Sequence, residues 1–88
     1  MKTAIENASS IGPIIRAVRK AQGIRQDDAA GSIGVSENFL AKIERGGDSV
    51  HWGKLFQVLD GLGIRITLDL PVEIPVSLSA KADKRDLL

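Results

Sequence analysis

Between Gln26 and Arg45 the chain reads QDDAAGSIGVSENFLAKIER, two short helical patterns with only Gly34, Val35 and Ser36 to join them. That spacing leaves the backbone little freedom. Gln26 to Ile33 forms one short helix, with Asp27 and Asp28 near its positive N-terminal end. Gly34 tolerates a positive φ, and Ser36 can cap the next helix, expected from Glu37 to Arg45 and stopped by Gly46 and Gly47. On the first of the two, Ala29 and Ala30 form a small inner face ahead of Ile33. Small side chains there let another helix cross closely, as a pair joined by a tight turn requires.

The flanking sequence supplies the rest of an all-α domain of four to five helices. Residues 1–9 show no pattern and are expected to form a flexible arm. Ser10 is an N-cap candidate for a helix from Ile11 to Gln22, whose Ile11, Ile14, Ile15 and Val18 follow the i, i+3, i+4, i+7 rule. Pro13 falls in its first turn, where a missing N–H costs nothing, and Gly23 ends it. Ser49 can cap a fourth helix from Val50 to Leu62, with Trp52, Leu55, Phe56, Leu59 and Leu62 on one face. Gly53 and Gly61 weaken that helix, and Gly63 stops it.

After Gly63 the period changes from helical to twofold. Ile64, Ile66, Leu68 and Leu70 alternate with Arg65, Thr67 and Asp69, the pattern of a half-buried strand. Nothing else in the chain reads as a strand to pair with it, and unpaired backbone groups are costly where they are buried. The economical partner is the same segment of a second chain across a two-fold axis, which predicts a homodimer with an intersubunit sheet. Residues 10–63 then form the helical domain, 64–70 the dimerisation strand and 71–88 a mobile charged tail, in which Pro71 and Pro75 interrupt any ladder.

Composition removes several classes of function. Eighty-eight residues make one domain with little room for a second core. The absence of cysteine excludes disulfides and thiolate metal sites, and a single histidine, His51, counts against zinc. His51 reads as a polar position in the first turn of the fourth helix. No serine, lysine or carboxylate stands in a catalytic motif, so neither an enzyme nor a cofactor or metal is expected. No stretch is long and apolar enough for a bilayer, and the N-terminus lacks the apolar core of a signal peptide, so a cytoplasmic protein is expected. A net charge of only +1 does not by itself announce a nucleic-acid partner.

The placement of charge says more. At about 100° per residue, Leu40, Ile43 and Phe39 share one side of the third helix, while Glu37, Asn38, Lys42 and Arg45 surround a small Ala41 on the other. These residue types suit the DNA major groove. Asn pairs in bidentate fashion with adenine, Lys donates to guanine, Glu accepts from cytosine, and Ala lets the helix lie close or touch a thymine methyl.

From Gly23 to Gly46 this order of elements resembles the lambda-repressor/Cro-like, or XRE, helix-turn-helix family. The resemblance rests on Arg19, Gly23, Gln26, Ala30, Ile33, Gly34, Val35, Ser36, Leu40, Ile43, Glu44 and Gly46. Arg25 stands where a capping Thr or Ser is usual, and Ala29 where Leu is usual. The resemblance implies that Ser36, Glu37, Asn38, Ala41 and Lys42 face the bases. It implies phosphate contacts for Arg25, Gln26, Arg45 and Lys54, and a structural ion pair between Arg19 and Glu44. The fourth helix running into a short strand is similar to the HipB-type antitoxins. That similarity implies a repressor that binds a palindromic operator in double-stranded DNA and neutralises a HipA-type serine/threonine kinase toxin. Bound to its operator, such a protein would be associated with the nucleoid. Two other readings stay open: a stand-alone repressor of phage or metabolic type, and a protein-interaction module that no longer binds DNA, for which Glu37 is the warning sign.

Overall fold

A computed structural model describes residues 1–75 and contains four α-helices: α1 (Ile11–Ala21), α2 (Gln26–Ile33), α3 (Glu37–Glu44) and α4 (Trp52–Gly61). The bounds of α2 agree with the sequence reading, and α3 ends one residue early, at Glu44. Between them Gly34 adopts φ 93°, and its N–H and that of Val35 both donate to the carbonyl of Ala30, which closes the end of α2. The Ser36 hydroxyl accepts from the Phe39 N–H at 3.0 Å and opens α3. The three-residue connection therefore works as the residue types require, with a left-handed glycine followed by a hydroxyl cap.

Two of the expected caps fall elsewhere. Ser10 makes no side-chain cap bond and is itself helical, with φ −72° and ψ −21°. A 3-10 turn over Ala8–Ser10 precedes α1, and the Asn7 carboxamide oxygen caps it by accepting from the Ser10 N–H and from the Ser9 and Ser10 hydroxyls. Order thus begins inside what the sequence suggests is a flexible arm. Ser49 does not cap α4 either. His51 does, its ring Nδ1 accepting from the Lys54 N–H at 3.2 Å.

The core is a single cluster of Ile15 from α1, Ala29 and Ala30 from α2, Leu40 and Ile43 from α3, and Leu55, Val58, Leu59 and Leu62 from α4 and its end. Helix α1 packs on α3, and α2 packs on both α3 and α4. The inward stripe of α4 differs from the expected one. Trp52 and Phe56 are exposed, at 73% and 46%, and stack on each other outside the core, with ring centroids 5.7 Å apart. Val58 takes the core place.

Glycine sets two of the helix crossings. At Gly12 a Cβ would overlap the carbonyl oxygen of Ile43, so α1 and the end of α3 meet backbone to side-chain-free backbone. At Gly61 a Cβ would lie 2.6 Å from Cγ1 of Ile33, where α4 crosses α2. The cost of glycine in α4 is thus tied to a close approach. Two glutamines fasten helix ends across the bundle: Gln57 donates to the Ile33 carbonyl and Gln22 to the Leu62 carbonyl, each at 2.9 Å.

Beyond Gly63 the chain leaves the core. Ile64 is half-buried and donates its N–H to the Leu59 carbonyl at 2.8 Å, but residues 65–75 are exposed and irregular. Among the described residues there is no β-strand. The strand expected over 64–70 is therefore not formed among the described residues, which supply nothing for it to pair with. From residue 76 onward, the expected mobile tail lies outside the described residues. Among those described, no helix is long and apolar enough to cross a membrane.

Candidate nucleic-acid interface

The third helix is held from behind by a buried ion pair. Arg19 of α1 and Glu44 of α3 meet in bidentate fashion, Nε to Oε2 at 2.7 Å and Nη2 to Oε1 at 2.8 Å. Arg19 also donates to the Ile24 carbonyl at 2.7 Å, and the Gln26 amide donates to Glu44 Oε1 at 3.2 Å. The ion pair thereby ties α1, the α1–α2 turn, the start of α2 and the end of α3 into one unit.

Charge follows from that geometry. Burial alone pushes the Glu44 carboxyl up. Hydrogen bonds from Arg19 and then Gln26, with the charges of Arg19 and Arg16, outweigh it and hold Glu44 below the ordinary carboxylate value. Arg19 is held above its ordinary value, first by its hydrogen bond to Glu44, against the opposing cost of burial. Both groups are ionised at neutral pH, and among the described residues no buried side-chain polar atom lacks a partner.

With Leu40, Ile43 and Glu44 turned inward and Phe39 half-buried, the opposite side of α3 faces outward. Glu37 and Asn38 are exposed on its first turn, and Ala41 sits half-buried one turn further on. Ser36 is beside them, its oxygen engaged in the cap but its hydroxyl proton free to be donated. Arg45 is exposed at the far end. Arg25 is the residue just before α2, and Lys54 lies in the first turn of α4. Arg25 is paired with Asp27 at 2.9 Å in a solvent-exposed bridge, which is worth little and is readily exchanged for another anion. The Lys54 ammonium lies 5.8 Å from the centre of the Phe39 ring, beside α3.

Two expected contacts sit differently. The Lys42 ammonium turns away from the first turn of α3 and donates to the Ser49 carbonyl at 3.2 Å. The same loop also returns the Gly47 N–H to the Lys42 carbonyl at 3.0 Å. In this structure Lys42 therefore fastens the α3–α4 loop and is not gathered with Glu37 and Asn38. Gln26 stands at the start of α2 as expected, but its amide nitrogen is directed at Glu44. Sequence reasoning missed the supports: Gly12, which brings α1 against α3, and His51, which aims the first turn of α4 and Lys54 with it. Gly12 carried no signal, because a close approach depends on where helices cross. His51 carried one, its position just before an apolar helical run.

A short scaffold helix, a three-residue turn and an outward-facing second helix define a helix-turn-helix DNA-binding module. The chain belongs to the helix-turn-helix family of XRE, lambda-repressor-like transcriptional regulators, which are not enzymes; the family's model, described as Helix-turn-helix, matches residues 15–68. It is 40% identical over 73 residues to an uncharacterized HTH-type transcriptional regulator, y4mF, of Sinorhizobium fredii, a match over 83% of this chain and 96% of that one. The fold superposes with a TM-score of 0.72 on a chain of the HipA–HipB–O2–O3 complex, at 21% identity, over 81% of this chain and 100% of that one. It also superposes, with a TM-score of 0.61 at 24% identity, on the clp gene regulator ClgR of C. glutamicum, over 75% of this chain and 85% of that one. At such identities the likeness is one of fold.

Proposed function

We propose that this protein is a homodimeric repressor that reads a palindromic operator with α3, and that it serves as the antitoxin of a HipA-like kinase encoded beside it. One observation carries the DNA-reading part. The first turn of α3 presents Ser36, Glu37 and Asn38 outward on a helix whose other side is fixed by Leu40, Ile43 and the Arg19–Glu44 pair. Residues at this end of such a helix are the ones that reach base edges. Asn38 is the residue for an adenine and Glu37 for a cytosine, while Arg25, Arg45 and Lys54 hold phosphates on either side. Ala41 sets how closely the helix can lie. Gln26 and Lys42 each spend one N–H on a protein partner and keep further donors, one amide hydrogen and two ammonium hydrogens, for DNA.

Residues 10–63 do the reading and 64–70 the dimerising. Two copies would place their reading helices about 34 Å apart, in successive major grooves on one side of the duplex. The modest net charge implies weak, salt-sensitive non-specific binding, so discrimination rests on the base contacts. The antitoxin role is supported by the fold's likeness to a chain of the HipA–HipB–O2–O3 complex. A stand-alone repressor is the second reading, favoured by the 40% identical relative, whose name is that of a transcriptional regulator alone.

A gel-shift titration with DNA from upstream of the protein's own operon tests the core of this. Wild type should select one site over scrambled DNA. Asn38→Ala should lose about 1–3 kcal/mol of that preference at one base pair per half-site. No wild-type shift even at low salt would leave only a protein-interaction role. Co-purification with the product of the adjacent gene separates antitoxin from stand-alone repressor.

A further inference from the structure

The segment beyond α4 is bounded by its own chain. Ile64 cannot donate to a ladder partner, because its N–H is taken by the Leu59 carbonyl, and Gly63 before it turns the chain at φ 76°. Seven residues later Pro71 has no N–H at all. Gly63 and Pro71 lie equally far from Thr67.

Between them, Ile66, Leu68 and Leu70 are exposed at 40%, 78% and 45%. Side chains of even number share one face of an extended chain, and half-buried Ile64 packs against the core. In an extended strand the even face would therefore turn inward, and Arg65, Thr67 and Asp69 would turn out.

We propose that two copies of residues 64–70 pair antiparallel across a two-fold axis at Thr67, so that Arg65 of each copy faces Asp69 of the other. This rests on the homodimer reading above and fixes its register. With the axis at Thr67, every residue from 64 to 70 has an opposite number: Ile64 with Leu70, Arg65 with Asp69, Ile66 with Leu68, and Thr67 with its own copy. Opposite charges and paired threonines are both favourable across strands.

The neighbouring registers lose these pairs. An axis at Ile66 sets Arg65 opposite Thr67 and Asp69 opposite Gly63. An axis at Leu68 sets Arg65 opposite Pro71. A parallel, in-register pair sets Arg65 against Arg65 and Asp69 against Asp69, which is destabilising. Pro71 and Pro75 share the parity of Arg65, Thr67 and Asp69. With that parity's edge turned away from the partner, the missing proline donors fall on the free edge and hold the ribbon to two strands, and of the Ile64–Leu70 pair only Leu70 donates across it.

The chain has no cysteine, so single-cysteine variants of the full protein report the register directly. Directly opposed residues bring their Cα atoms to about 4.5–5.5 Å, within disulfide reach, whereas diagonal neighbours at about 7–8 Å are outside it. Under mild oxidation Thr67→Cys should give covalent dimer on a non-reducing gel at least about tenfold faster than Ile66→Cys or Leu68→Cys. Arg65→Asp and Asp69→Arg should each raise the dimer Kd by about three- to tenfold, and the double exchange should restore it. Fastest cross-linking at Ile66→Cys or Leu68→Cys, or equal rates at all three, overturns the register. So does no cross-linking from any of the three cysteine variants when the wild type sediments as a dimer. A wild type that is monomeric at micromolar concentration instead overturns the homodimer reading itself.

Discussion

The contact of α1 with α3 and the segment that follows α4 differ in almost every physical respect. At the first, Gly12 lies against the Ile43 backbone, Ile15 is fully buried, and every hydrogen-bonding atom of the Arg19–Glu44 pair is satisfied. At the second, Ile66, Leu68 and Leu70 are exposed and the backbone is in no ladder. Packed contacts inside one chain fix the first region, so it belongs to the stability of a single copy. The second has apolar and backbone groups left without partners among the described residues, so on the homodimer reading it belongs to association. Stability and association should therefore separate under mutation.

The sharpest way to break the first region is Gly12→Val. On an exposed helix, replacing glycine normally gains up to about 1 kcal/mol. Here a Cβ meets a backbone carbonyl that cannot rotate away, so α1 must lift off α3. Urea titration should show a loss above about 3 kcal/mol, larger than ordinary overpacking, and DNA binding should fall with the folded fraction. A variant as stable as wild type would mean that the crossing is looser than it looks.

Glu44→Ala comes next, at about 3–5 kcal/mol, because it leaves the Arg19 guanidinium buried without its partner. The same pair sets an acid limit. Glu44 has its folded pKa lowered, so its contribution is complete at pH well above the unfolded value of about 4.3 and is lost as pH falls through the folded value. Wild-type stability should therefore decline on acidification below about pH 5, and Glu44→Gln should show a shallower decline over that range.

Much of the helix-turn-helix was legible in the sequence, because local rules decide it, whereas Gly12 at the α1–α3 contact was not. Gly34 and Ser36 could hardly do anything but turn and cap. The Arg19–Glu44 pair came from the family resemblance, since nothing local links two residues that far apart in the chain. On α4 the expected stripe ran through Trp52, Leu55, Phe56, Leu59 and Leu62, but Val58 lies at helical spacing from Leu55 and Leu62 as well. Apolar spacing cannot choose between overlapping stripes. The crossing at Gly61 and Ile33 chose Val58, leaving the two aromatics stacked outside. Lys42 shows the same limit in the candidate interface: a helical wheel places its Cα on the polar side but does not say that the ammonium bends back to Ser49. The strand after Gly63 was legible as a pattern, yet the described residues give it nothing to pair with.

Leu68→Ser should have the smallest effect on the single copy and a large one on the pair. Leu68 is 78% exposed, so its removal costs the isolated fold almost no burial, and the change should stay within about 0.5 kcal/mol. That comparison has to be made on monomer, at protein concentrations below the wild-type dimer Kd, because dimerisation adds to apparent stability by mass action. In sedimentation at higher concentration the variant should shift toward monomer, and its operator affinity should drop while preference among sites is kept. The drop follows because two half-sites are then bound by separate molecules and the gain in effective concentration is lost. A variant that melts well below wild type as a monomer would place Leu68 in the fold, and the division between the two regions would fail there.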